Sequence, residues 1–226
     1  MAAAGPAELD RLAAACRALI DHYPTRNWWP ARSRFEVMVG AVLVQNTRWL
    51  NAARAIEALR SAALLQPAAM AEASAETLAR WIRPAGCQRI KARRLLALAI
   101  GIQQSGGLRA LAQLEDQALR ARLLRWHGIG EETADAILLY GFKRPGFLSD
   151  GYARRWLSRM GIFEAGAGPR AYGRCRQFMA QELVLDVSDA QALHAAVVLH
   201  GQQHCGARPR CDGCCVADYC SNKTIT

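Results

Sequence analysis

The sequence predicts an all-α protein, and three observations carry that expectation. Apolar residues recur at helical spacing almost everywhere along the 226-residue chain, period-two alternation is nearly absent, and Pro and Gly punctuate the pattern at short intervals. About ten helices and no sheet are expected. With 52% apolar and 21% charged residues, the composition is that of a folded chain with its own core rather than a disordered one.

The first apolar stripe, Leu12, Cys16, Leu19 and Ile20, reads as an N-terminal helix. The proline-containing segment from Tyr23 to Pro30 separates that helix from the remainder of the chain. Phe35, Val39, Val42 and Leu43 begin a compact helical block that Leu95, Leu98 and Ile102 continue and that runs to about Gly141. A second helical block runs from Asp150 to about Gln203, interrupted between Gly166 and Pro169. Cys16, Cys87 and Cys175 stand alone within helical segments, where a cysteine is expected to be a small buried apolar residue.

Charge narrows the partners. Lys and Arg total 29 against 19 acidic residues, giving a formal charge of +10 and a pI near 9.6, so nucleic acid is the first polyanion to expect. No apolar run approaches the roughly 18 to 20 residues that cross a bilayer. The N-terminus MAAAGPAELD also lacks the basic and apolar regions of a signal peptide. The expectation is a cytoplasmic chain with no membrane partner. Lys91, Lys143 and Lys223 are the only lysines, and arginine cannot deprotonate to serve as an amine nucleophile. A mechanism that needs a catalytic lysine therefore has few candidates.

The tail differs in kind. Cys205, Cys211, Cys214 and Cys220 stand in the spacing C-x5-C-x2-C-x5-C, with Cys215 extra. Four thiolates in one short loop can enclose a metal centre, whereas two disulfides there would need tight closures in a chain with no sign of secretion. Structural zinc commonly uses two close cysteine pairs and only one is present; a cuboidal four-iron cluster accepts four cysteines from an extended wrap. Spacing thus favours iron–sulfur and leaves zinc open. Between the first two ligands, Arg208 and Arg210 flank Pro209, either aimed at phosphate or forming a solvated basic loop.

Upstream, Leu123, Leu124 and Trp126 end one amphipathic stretch, His127-Gly128-Ile129-Gly130 makes a turn, and Glu131 to Asp135 opens the next helix. The glycines allow backbone conformations closed to other residues, and Ile129 can plug the space between the helices. Amides at such a turn can hold one phosphate without reading sequence, although a plain helix–helix turn has the same composition. Twenty residues past Gly130, Phe147-Leu148-Ser149-Asp150 brings an apolar approach to a single carboxylate ahead of a helix carrying Arg154 and Arg155.

With these motifs in place, the chain resembles the endonuclease III superfamily of base-excision DNA glycosylases, helix-hairpin-helix proteins with a Gly-Pro and Asp signature. The resemblance spans nearly the whole chain: Phe35 to Thr47 (FEVMVGAVLVQNT), Ile82 to Leu95 with Arg-Pro-x-Gly and Lys-Ala elements, LLRWHGIGEETADAILLY, the Asp150 segment and the four-cysteine loop. Trp28-Trp29-Pro30, Gln45-Asn46-Thr47 and the G-I-G-x-E-T-A-D hairpin look closest to the monofunctional branch that includes 3-methyladenine glycosylases.

The resemblance implies a two-lobed all-α fold: a helical barrel from about 33 to 144 ending in the hairpin, and a second lobe of 1–32 plus 145–226 carrying a 4Fe-4S cluster on Cys205, Cys211, Cys214 and Cys220. It implies a monomer that binds double-stranded DNA containing damaged bases across the cleft between the lobes and flips the base out, since the glycosidic bond is inaccessible in stacked DNA. Gly128, Ile129 and Gly130 would hold backbone phosphate, and Gln45 and Asn46 would fill the gap left by the base. Trp28, Trp29 and Trp49 are candidates for stacking on it, a contact that favours a cationic alkylated purine.

Asp150 would stabilise the oxocarbenium-like transition state and accept a proton from water; as a plain Asp before a helix it would also be an N-cap. Gly151, where relatives carry a bulkier residue, would loosen that carboxylate. Bifunctional relatives place an amine two residues after the second hairpin glycine; here the residue is Glu132, which cannot form a Schiff base, so the lyase step is expected to be absent or weak. Glu132 would position water or simply be a solvated first-turn glutamate. The competing readings are a glycosylase for mismatched, deaminated or oxidised pyrimidines, and a non-catalytic DNA-binding protein whose cluster senses redox state.

Overall fold

A computed structural model describes residues 5–25, 27–164, 166, 168 and 170–221. Lys223 lies outside the described residues. Twelve α-helices occur among them: α1 (Pro6–His22), α2 (Arg34–Leu43), α3 (Trp49–Ser61), α4 (Pro67–Glu72), α5 (Ala75–Trp81), α6 (Gln88–Gln104), α7 (Gly107–Ala112), α8 (Asp116–Leu124), α9 (Glu131–Ala136), α10 (Gly151–Arg159), α11 (Ala171–Glu182) and α12 (Val187–Gln203). No strand occurs among the described residues, and no helix among them is long and apolar enough to cross a membrane. The chain forms two compact units, Trp29–Arg144 and the combination of Met1–Trp28 with Pro145–Thr226.

The continuous unit is built around α2. Every residue from Phe35 to Leu43 is buried, as an almost wholly apolar ten-residue helix requires. Ser33 caps its start by accepting the Glu36 amide, and the Glu36 carboxylate, itself buried, pairs with Arg60 of α3 at 2.6 Å. Its other end is closed by Lys91 of α6. Lys91 is 3% exposed and its Nζ donates at 2.8 Å to the carbonyls of Leu43 and Ala85, one of them an orphan carbonyl of the helix C-terminus. Helix α9 passes without a break into a π-helical turn, Ile137–Gly141.

In the discontinuous unit, α12 packs against α1 and α10. Leu12, Ala15 and Leu19 of α1, Trp156 and Leu157 of α10, and Leu193, Ala196 and Val197 of α12 share one core. Cys16 and Cys175 belong to it, as small apolar residues should. Cys87 does not follow the expectation of burial: it is exposed, in the left-handed region (φ 45°) just before α6, because it precedes the helix instead of sitting within it.

Candidate functional site

Asp150 is the N-cap of α10. Its Oδ1 accepts the Ala153 amide at 2.8 Å, so the carboxylate is pinned by its own helix and Gly151, the first helical residue, does not leave it loose. The residue is 8% exposed. Burial pushes its pKa up to about 6, while hydrogen bonds from Ala153 and Tyr152 and the charges of Arg154 and Arg155 pull the other way. The result is a desolvated carboxylate, ionised at neutral pH, whose charge has few water molecules to screen it. Nε2 of His194, on α12, lies 3.8 Å from Oδ2.

The hairpin belongs to the other unit and is assembled there from four elements. Gly128 adopts φ 84°, and a Cβ on it would come within 2.1 Å of Arg94 Cγ on α6, so both backbone conformation and space demand glycine. Ile129 is buried in the core, the plug its sequence position suggests. Gly130 is different: its backbone is extended at φ −89°, ψ 178°, and a Cβ would meet nothing within 4 Å. Gln45 is tied inward, its Nε2 donating to the Gly128 carbonyl at 3.0 Å and Thr133 Oγ1 at 2.9 Å, while Arg94 donates to its Oε1. Asn46 is exposed, in the left-handed region at φ 53°. Glu132 is exposed in the first turn of α9.

Of the three candidate tryptophans, the fold brings two together. Trp29 meets Trp49 edge-on at 5.4 Å and lies over Tyr140 of the π-helical turn at 4.9 Å and 33°. Its indole Nε1 is buried with no hydrogen-bond partner, and Gly40 leaves the room the ring occupies, since a Cβ there would stand 3.3 Å from Nε1. Trp28 ends the other unit and is partly exposed.

The cysteine loop is gripped from α10. Arg155 Nε donates to the Cys205 carbonyl at 2.7 Å, and Arg159 donates to Cys205 Sγ at 3.2 Å and to the carbonyls of Gly206 and Ala207. Arg210 turns back to the Gln203 carbonyl. Cys205, Cys211, Cys214 and Cys220 line one cavity of about 30 Å³. Cys215 instead hydrogen-bonds with Tyr23. Among the described residues no group of three or more His, Cys, Asp or Glu side chains is placed to hold a single metal ion. Burial, and after it the neighbouring Cys211, Cys205 and Cys220, push the Cys214 thiol up against one backbone hydrogen bond that lowers it, a penalty that a cationic centre would relieve.

The family model for HhH-GPD superfamily base excision DNA repair proteins matches residues 39–174, from within α2 through the hairpin and Asp150 into α11. The chain belongs to that superfamily. A protein of Methanocaldococcus jannaschii named a DNA repair glycosylase is 36% identical over 92% of this chain and 94% of its own length. Endonuclease III of Sulfolobus acidocaldarius is 30% identical over 84% of this chain and 82% of its own.

Among solved structures, the 3-methyladenine DNA glycosylase MagIII of H. pylori, bound to 1,N6-ethenoadenine, shares 25% identity and a TM-score of 0.70, covering 87% of this chain and 97% of that one. A non-covalent endonuclease III–DNA complex, at 19% identity and a TM-score of 0.79 over 95% of each chain, has the same fold. This HhH-GPD protein is thus a helix-hairpin-helix DNA glycosylase of the endonuclease III superfamily, and DNA is its partner.

Four residues of this HhH-GPD chain matter in ways its sequence does not announce. Arg94, Tyr140 and His194 carry no motif of their own, and each meets a candidate site residue distant in sequence: Gln45, Trp29 and Asp150. Lys91 is visible as a rare lysine, but nothing local marks it as a buried helix cap.

Proposed function

We propose that the enzyme is a monofunctional glycosylase that releases an alkylated purine such as 3-methyladenine and leaves the strand uncut. The observation that carries this reading is the absence of an amine where bifunctional relatives have one. Glu132 occupies that position, Lys91 is buried with its Nζ committed to two carbonyls, and Lys143 is exposed on the far side of the π-helical turn in sequence. Burial also lowers the Lys91 pKa, but a sealed amine has no path to a sugar.

Asp150 acts on the flipped nucleotide. As the bond between C1′ and the base nitrogen breaks, the base leaves with the bonding electrons and positive charge grows on the sugar, opposite the desolvated carboxylate. Water then bonds to C1′, and Asp150 accepts the proton it loses. An alkylated purine is already cationic, so it needs little acid assistance to depart, which suits a site with one evident carboxylate. The Trp29, Trp49 and Tyr140 cluster offers aromatic faces to a cation, on the order of 0.5 to 2 kcal/mol per good contact. The likeness to MagIII supports the same substrate class.

Gly130 supports phosphate binding by the hairpin. Neither its φ nor its surroundings require glycine, so the missing side chain leaves open space next to Gly128 and Ile129 where a DNA backbone can approach the amides. Asn46, exposed beside the inward-turned Gln45, is the member of that pair free to enter a gap in the duplex. The four cysteines fit a 4Fe-4S cluster: they share one cavity, Cys215 lies outside it, and burial together with the neighbouring cysteines pushes the Cys214 thiol up. Such a cluster, held by Cys205, Cys211, Cys214 and Cys220, would crosslink the loop and, if oxidisable, supply one-electron chemistry.

The test is base release and strand cleavage measured together on duplexes containing 3-methyladenine, uracil, a thymine mismatch or an oxidised pyrimidine. The expected result is abasic product from the alkylated substrate, cut only after alkali, with no complex trapped by borohydride and no release by Asp150→Asn. Efficient trapping would reverse the monofunctional assignment, and preference for a neutral pyrimidine would reverse the substrate assignment alone.

A further inference from the structure

Asp150 spends one carboxylate oxygen on its own helix, Oδ1 accepting the Ala153 amide. The other oxygen faces a group brought in by a different helix, Nε2 of His194 at 3.8 Å. His194 stands on the inward stripe of α12 with Ala190, Leu193 and Val197, and its side chain and that of Asp150 are only 11% and 12% exposed. We propose that His194 is a positioning residue for Asp150: a neutral imidazole presenting Nε2–H to Oδ2, which keeps the carboxylate ionised and oriented for reaction. The proposal rests on Asp150 being the catalytic carboxylate.

The surroundings of the carboxylate single out the imidazole. Titratable and charged groups face Asp150 from three helices: Arg154 and Arg155 on α10, the Cys175 thiol on α11, and His194 on α12. Arg154 donates to the Ser149 carbonyl, and Arg155 donates to the Cys205 carbonyl and lies over the Tyr152 ring. Both cations therefore have other work and act on Asp150 only through space. The Cys175 thiol is held protonated by burial, a weak donor at best.

Burial also holds the His194 pKa down at about 4, so above that pH the ring is neutral and carries one N–H. An acceptor-only carboxylate opposite Nε2 selects the tautomer with the proton on that nitrogen. At 3.8 Å the contact is longer than a direct hydrogen bond; it can close when DNA is engaged, as catalytic contacts do, or be bridged by one water. In either form a neutral donor stabilises the carboxylate without becoming a second charge that would hold it away from the cationic sugar.

Two measurements on the full chain decide the matter. The first follows the five histidines by NMR as pH is varied, with His194 assigned by its loss in His194→Phe. With Asp150 present the His194 ring signals should show a step near pH 6, where the facing carboxylate titrates while the ring is still neutral, and that step should be absent from Asp150→Asn. The second is the pH profile of single-turnover base release. In His194→Phe, which fills the space without a donor, the acid limb should move to higher pH by about half a unit or more, and His194→Gln, which restores an N–H, should bring it back.

An unmoved acid limb in His194→Phe, even with a uniformly slower rate, would reduce His194 to a packing residue and overturn the proposal. The lack of any Asp150-dependent step near pH 6 in the His194 signals would overturn it equally, and this arm needs no folded His194 variant beyond the assignment, which the Asp150→Asn spectrum can also provide by difference. If Asp150→Asn releases base as fast as the parent, the catalytic reading of Asp150 fails, and the positioning role falls with it even where the NMR coupling is present. If Asp150 is essential but uncoupled, only the proposal fails.

Discussion

Asp150 trades stability for charge. Its folded pKa of about 6 lies above the ordinary 3.8, so between those values the folded state holds a proton that the unfolded chain has lost. The wild type therefore gains stability as pH falls through about 6 toward 3.8, and above 6 it carries the full cost of an ionised buried carboxylate. Asp150→Asn, which keeps the N-cap but cannot ionise, should be more stable than the parent at pH 8 by roughly 1 to 3 kcal/mol. The difference should vanish below pH 4, as read from denaturant midpoints at each pH. Base release should show the opposite trend in the wild type, failing as pH drops below about 6. Lys91 makes the complementary case of a buried charge with a structural task. Lys91→Met would leave the Leu43 and Ala85 carbonyls without their donor, costing on the order of 1 to 3 kcal/mol. Thermal melts should show that loss while base release by the folded fraction is unchanged.

Among the elements, the hairpin separates two kinds of glycine. Gly128→Ala forces a Cβ into Arg94 at φ 84°, and Arg94 in turn holds Gln45, which holds the hairpin. The expected cost is about 1 to 3 kcal/mol in stability, with binding lost as a consequence. Gly130→Thr puts its Cβ in open space at an ordinary φ and keeps an N-cap residue about as good as glycine, so melting should change by less than about 0.5 kcal/mol while affinity for any duplex falls. Equal melting losses in the two variants would contradict this division of labour. The cysteine loop makes a similarly discriminating element. Purified protein should be brown with about four irons per chain. Serine at Cys205, Cys211, Cys214 or Cys220 should abolish the metal, and Cys215→Ser, outside the shared cavity, should retain it. Stoichiometric zinc in protein prepared without oxygen would overturn the iron assignment.

For the whole molecule the dominant quantity is the +10 formal charge, nearly all of whose cations are guanidinium groups. Binding to undamaged duplex should be insensitive to sequence and fall steeply with salt, since each phosphate neutralised by a protein cation releases a counterion, with a slope of about −0.9 per contact. Fluorescence anisotropy across a salt series checks this. A flat salt response would mean that the surface charge is not what engages DNA. Because phosphate contacts position the protein while chemistry at one nucleotide selects the lesion, discrimination between damaged and undamaged DNA should survive at salt concentrations that abolish general binding.

What the sequence determined by itself was local or set by spacing. Helical periodicity, Pro and Gly punctuation, the G-I-G turn and the four-cysteine spacing all lie within windows of about 20 residues or fewer, so the all-α fold, the hairpin with its Ile129 plug, the N-cap at Asp150 and the odd Cys215 were legible in the chain alone. Tertiary structure decided what those windows cannot contain. Cys87 is exposed because a left-handed residue ends its segment; Lys91 is buried because the carbonyl end of α2 needs a donor from α6. Gln45 turns toward Gly128, 83 residues away in sequence; Trp29 finds Tyr140; His194 arrives beside Asp150 from another helix. Each of these depends on which faces of distant helices meet, and that is settled by packing the whole apolar surface at once rather than by any residue's own preference.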